Sequence, residues 1–227
     1  MSDKTILIGM PTYSGLIPTI MVQSLLQLRK PMACGFMAID RQRIDKARNA
    51  LALEALNKNF DYLFMVDDDN PIPPDTLEKM VEDDKDIVTV PILSRTPDRN
   101  GNYKMCAFYS REIEANGKPL NLYFNIDTFR DEGNLHRVDA TGTGCLLVKR
   151  NVLETLIKKY DGEVFAFGDI KFDKNVIVDG KSYDRRTMSE DCEFSERAVK
   201  EGFEIWLDER IKPLHITNFN MIKWGER

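Results

Sequence analysis

The chain of 227 residues carries 32 Lys and Arg against 37 Asp and Glu, a formal net charge of −5. A chain this long buries roughly 70–75% of its unfolded surface, so one domain can rest on its own core. A composition of 42% hydrophobic and 30% charged residues excludes a disordered, collagen-like or coiled-coil chain. The mild acidity disfavours indiscriminate nucleic-acid binding, and no segment approaches the roughly 20 apolar residues of a membrane span.

The four cysteines, Cys34, Cys106, Cys145 and Cys192, are scattered with no CxxC pair, which excludes a zinc knuckle and a thioredoxin motif. They are expected to be reduced thiols in a cytoplasmic protein. The polar N-terminus leads into an apolar run too short for a signal peptide.

In chain order, residues 6–10 form an apolar run ended by Pro11, which predicts a buried strand. Pro18 opens a predicted helix to about Lys30. Residues 35–39 read as a strand followed by Asp40, residues 45–58 as an amphipathic helix, and residues 62–66 as a third strand. Pro73-Pro74 precede a helix over 75–82, and residues 87–90 read as a strand. This β-α-β-α-β-α-β order predicts a parallel sheet with helices on both faces. From about residue 100, short β-rich runs (103–109, 120–126, 135–140) alternate with Gly/Asn turns. A strand over 142–148, a helix over 151–159 capped by Asn151, a helix over 189–202 and a strand over 204–207 follow. Residues 169–187 are polar and contain Gly180, Lys181, Arg185 and Arg186. They are expected to be a mobile loop that closes over a ligand.

Four groups of residues carry chemistry. Asp67-Asp68-Asp69-Asn70 follows the third strand directly, and in open α/β sheets ligands bind beyond the carboxyl ends of strands. Adjacent carboxylates there repel unless solvated or bridged by a cation. Alternation sets Asp67 and Asp69 on one side and Asp68 on the other, and hard oxygen ligands suit Mg²⁺ or Mn²⁺ with substrate phosphates. Thr141-Gly142-Thr143-Gly144 precedes a buried strand, and its glycines permit close backbone approach. Glu190-Asp191 open a helix, where acids complement the dipole or serve as a general base. His215 is one of two histidines; the other, His136, has no assigned role.

In this order the four groups resemble the GT-A glycosyltransferases, which use nucleotide-diphosphate sugars. The similarity runs from Ile6 to about His215. It implies a GT-A-like, Rossmann-type α/β domain with a mostly parallel central sheet and a smaller β-rich acceptor-side part. Residues 1–100 would be the nucleotide-sugar-binding half, and 101–227 the acceptor-binding and catalytic half. Asp67-Asp68-Asp69 resembles the DxD motif, with Asp67, Asp69 and His215 as ligands of Mn²⁺ or Mg²⁺. Gly142, Thr143 and Gly144 resemble the glycine-rich acceptor-side loop. Glu190-Asp191 resembles the xED motif, with Asp191 as base and Glu190 in support. Pro11, Thr12 and Tyr13 resemble the nucleotide loop, Tyr13 stacking on the base and Asp40 accepting from it. Arg43 and Arg48 suit the diphosphate, beside Asp67 and Asp68. The implied donor is UDP-linked. The acceptor is a hydroxyl of a glycan, a lipid-linked sugar, a protein or a modified nucleic acid, and transfer inverts configuration. No Q/RxxRW motif follows the ED pair, so a processive synthase is not expected. The alternatives are a nucleotidyltransferase, disfavoured by a first loop (residues 11–15) without Lys or Arg, and a non-catalytic nucleotide- or sugar-binding module.

Overall fold

The computed structural model describes residues 4–130, 132–216 and 221–222. The first half runs β1 (Thr5–Thr12), α1 (Thr19–Gln27), β2 (Ala33–Asp40), α2 (Ile44–Asn57), β3 (Tyr62–Val66), α3 (Thr76–Glu82) and β4 (Ile87–Thr89), the alternation the sequence predicts. The second half adds β5 (Ala107–Ala115), β6 (Lys118–Asn125), β7 (Leu135–Val138), β8 (Ala140–Thr141), β9 (Cys145–Lys149), α4 (Arg150–Lys159), β10 (Gly168–Val178), β11 (Lys181–Met188), α5 (Glu190–Lys200), β12 (Ile205–Asp208), β13 (His215–Ile216) and β14 (Met221–Ile222).

Seven strands form the central sheet in the order β2-β1-β3-β9-β4-β12-β7. Strands β2, β1, β3, β4 and β12 share one direction, and β9 and β7 oppose it. The sheet is therefore mostly parallel, and strands of the second half complete it. Alternation along the strands sorts the core into two layers. Leu7, Leu63 and Met65 face Leu51 and Ala55 of α2, Leu153 and Leu156 of α4, and Phe194 of α5. Ile6, Ile8 and Phe64 face Met21 of α1 and Leu77 and Met80 of α3. Among the described residues no helix is long and apolar enough to cross a membrane.

Strand β9 corrects the simple parallel reading. It enters between β3 and β4 antiparallel to both, with Cys145 beside Val66 and Lys149 beside Tyr62. Its leading end, not its trailing end, therefore lies at the carboxyl edge of β3. Asn151 does not cap α4: the helix starts at Arg150, Lys149 holds the cap position, and no side chain caps it.

Residues 169–187 are a β-hairpin, β10–β11, not a mobile loop. Asp179 and Gly180 both have positive φ, 50° and 74°, the requirement of a two-residue type I′ turn. Ile170, Phe172, Val176 and Val178 point to one face and pack with Ala115 and Leu122 of the β5–β6 hairpin. The outward alternates are charged or polar except for the exposed Ile177, which is why the segment reads as a loop. The basic residues are also engaged. Arg185 pairs with Asp169 and Asp184. Arg186 is buried against Glu196 of α5 at 2.7 Å and donates to the Asn121 carbonyl at 3.3 Å. Breaking one side of a buried ion pair leaves an uncompensated charge. Arg186→Ala is expected to cost about 3 kcal/mol of stability, read as a lower urea midpoint. A loss of only a few tenths would show that this pair does not anchor the hairpin to α5.

Candidate active site

The carboxyl ends of β1 and β3, the loop before β9, the start of α5 and the segment around His215 enclose a cleft of about 540 Å³. Pro11, Tyr13, Arg48, Asp67, Asp68, Asp69, Gly142, Thr143, Gly144, Glu190, Asp191 and His215 line it. Three residues named from the sequence do not. Thr12 is buried and donates to the Leu16 carbonyl. Asp40 lies beside Thr12 across the β1–β2 ladder, exposed near Arg41. Arg43 is held by Asp45 through two hydrogen bonds of 2.5 Å and lies over the Phe167 ring. It does not line the cleft.

Because β9 runs antiparallel to β3, the Gly loop is tied directly to the acidic turn: the Asp67 amide donates to the Gly144 carbonyl at 2.9 Å. Gly144 is required by this contact. A Cβ there would lie 2.3 Å from Asn70 Oδ1 and 2.9 Å from Ile92. Asn70 in turn donates to Asp69 Oδ1 at 3.0 Å.

Arg48, only 3% exposed, is not a free diphosphate ligand. Its guanidinium reaches three segments at once: Asp67 Oδ2 at 3.0 Å, Glu190 Oε1 at 3.4 Å and the Thr143 carbonyl at 3.4 Å. It joins α2 to the acidic turn, the Gly loop and α5. Its pairing offsets only part of the effect of burial on Glu190, whose carboxyl stays raised, by desolvation first and by Asp191's charge second.

Asp191 has different surroundings. Its Oδ1 accepts from Ser189 Oγ and from the Cys192 amide. Its Oδ2 faces the Gly loop, 3.6 Å from where a Cβ on Gly142 would sit. Neighbouring Cys106 is inert at neutral pH, its thiol pushed up to about 11 by burial and by Asp191.

His215 arrives on a segment docked along the acidic turn: Leu214 donates its amide to the Pro71 carbonyl and Ile216 to the Asp69 carbonyl, each at 2.8 Å. His215 Nδ1 lies 2.5 Å from the Leu93 carbonyl. A carbonyl only accepts, so Nδ1 carries the proton and Nε2 presents a lone pair. That lone pair lies 3.4 Å from Asp69 Oδ2. Arg95 donates to both, through Nε to His215 at 3.3 Å and through Nη2 to Asp69.

Among the described residues no three His, Cys, Asp or Glu side chains converge as a ready cation cage; Asp67 is drawn to Arg48, away from the Asp69–His215 pair. The donor chemistry nonetheless fits a divalent cation. A ligating imidazole normally has its other nitrogen fixed by a carbonyl or carboxylate, as Leu93 fixes His215. Asp67 Oδ1 lies 3.0 Å from Arg48 Nη2, and Thr143 Oγ1 is buried without a hydrogen-bond partner. A guanidinium already occupies the gap between Asp69 and His215. Arg95, Asn70 and the Leu93 carbonyl went unrecognised in the sequence. Arg95 sits in a polar connection with no motif, and a backbone carbonyl leaves no signal.

Comparison with known proteins is limited. No family model matches the chain, and no curated protein matches it. Among solved structures, A197 from STIV is similar over 99% of this chain and 95% of its own, with 14% identity and a TM-score of 0.54. At that identity the likeness shows a shared fold.

Burial, and then the charge of Arg95, hold the His215 imidazole below its ordinary value of 6.5. Below pH 6.5 the unfolded chain then binds more protons at this position than the folded one, so stability present above that pH is lost as pH falls. The wild-type urea midpoint, measured without divalent cation, is expected to rise from pH 5 to 7. His215→Gln should flatten that slope, and identical slopes would show that His215 is not held neutral.

Proposed function

We propose that the protein is a glycosyltransferase, moving a sugar from a nucleotide-diphosphate donor, UDP-linked, to an acceptor hydroxyl with inversion at the anomeric carbon. The observation that carries this reading is the Arg48 cluster. It joins the acidic turn, the Gly loop and the Glu190-Asp191 pair in one cleft, at the strand edge where α/β sheets bind ligands. Tyr13, 84% exposed at the mouth, is assigned to the nucleobase. Asp69 and His215, beside Asp67, would hold a divalent cation, which would supply positive charge to compensate that of the departing diphosphate.

Asp191 is the base. The acceptor oxygen attacks the anomeric carbon and its proton passes to Asp191 Oδ2. The bond from that carbon to the diphosphate oxygen breaks, the electron pair leaving with the nucleoside diphosphate. The hydrogen bonds to Oδ1 fix the carboxylate and leave Oδ2 to take the proton. Glu190, tied to Arg48, orients the start of α5 and does not touch the reacting atoms.

Slow hydrolysis of UDP-sugars with Mn²⁺ separates the readings. Release of UDP supports a transferase, release of UMP and sugar 1-phosphate a nucleotidyltransferase, and release of neither a binding module. With a sugar acceptor, Asp191→Asn is expected to keep donor affinity and lose transfer by roughly 10²–10⁴-fold, the usual contribution of a general base. Glu190→Gln should cost less. Near-wild-type transfer by Asp191→Asn would remove Asp191 from the role of base.

A further inference from the structure

The contact between Asp69 and His215 is repulsive as it stands. The carboxylate oxygen and the imidazole Nε2 are both acceptors, 3.4 Å apart, and His215's only ring proton is committed to Leu93. Two lone pairs stay that close in a half-buried site only if a positive group lies between them. Arg95 is that group: its Nε donates to His215 and its Nη2 to Asp69. The rest of its side chain lies outside, with 66% exposure against 13% for Asp69. Arg95 sits in the connection between β4 and β5, with no further side-chain hydrogen bond or ion pair to a described residue beyond Asp69 and His215.

We propose that Arg95 is an exchangeable internal cation, holding Asp69 and His215 in register while the cleft is empty and giving up both groups to a divalent metal ion. The inference rests on the transferase reading for the metal, but it concerns what the chain does before any donor binds. A guanidinium and a dication cannot share one carboxylate oxygen and one lone pair, so the two bind in competition. The asymmetry of burial gives the direction of exchange. Asp69 and His215 are fixed by the Asn70, Ile216 and Leu93 contacts, whereas the Arg95 head has open solvent to move into. Each metal ion bound therefore carries the cost of displacing Arg95, and metal affinity is set below what the two ligands would give alone.

The test titrates Mn²⁺ alone into the full chain, following the free-ion signal by electron paramagnetic resonance, for wild type, Arg95→Lys and Arg95→Ala. Losing one exposed ion pair and one hydrogen bond corresponds to roughly fivefold to thirtyfold tighter Mn²⁺ binding by Arg95→Ala. Arg95→Lys should fall between, since an ammonium lacks the fork that spans both acceptors. In wild type, the Arg95 Nε–H nuclear magnetic resonance signal should move to the position of a solvated arginine as Mg²⁺ saturates the site. Equal or weaker Mn²⁺ binding by Arg95→Ala overturns the exchange and leaves the transferase reading standing. Absence of Mn²⁺ binding in all three proteins, alone and with UDP, overturns the exchange together with the cation role of Asp69 and His215.

Discussion

A guanidinium taken out of water is tolerable only where carboxylates meet it, and that condition, satisfied at Arg48, organises the cleft. Asp67 ends β3 and Glu190 begins α5, yet both converge on one buried head that also holds the Thr143 carbonyl. The three segments are far apart in sequence, so nothing local fixes their distances. Arg48 does, from the buried face of α2, which is itself locked to the sheet by Leu51, Ala52 and Ala55. The cluster is a framework on which reactive groups can be mounted, and it engages two of the site's five carboxylates.

The second condition is topological. Had β9 run parallel to β3, the Gly loop that precedes it would lie at the opposite edge of the sheet from the acidic turn. Antiparallel insertion between β3 and β4 reverses this and brings Gly144 against Asp67 and Asn70. The same reversal places the loop against α5, where the Thr141 amide donates to Ser195 Oγ at 3.2 Å. The mixed sheet is thus what makes a single cleft from motifs far apart in the sequence.

Much of this was legible in the sequence, for physical reasons that can be named. Strand β3 was readable to the residue because five consecutive apolar side chains are buried on both faces, and the acids after it could only lie at the edge. The helices of the first half followed from their periodicity. The direction of β9 was not legible, because Cys145 to Val148 is apolar throughout and fits a central strand of either sense. The β10–β11 hairpin was misread because its apolar residues are diluted by charged alternates and interrupted by an irregularity between Lys171 and Val176. Arg48 was recognised as a site residue but given the wrong partner, since a sequence shows that a cation is present and not whether it is buried. Arg95 carried no pattern at all.

The distribution of charge shows how five acids coexist in one cleft. Asp67 and Glu190 are matched by Arg48, and Asp69 is matched by Arg95. Each of these pairings holds a carboxylate in place. Among the described residues no cation pairs with Asp68 or Asp191. Asp68 lies on the cleft wall with solvent access, whereas Asp191 is held by two hydrogen bonds to one oxygen only. Two adjacent residues on one helix turn therefore differ in kind. Glu190 is buried, charge-paired and structural, and Asp191 is fixed but open. A base must be both rigid and accessible, and within this cleft those properties meet at Asp191, because Arg48 has already claimed its neighbour.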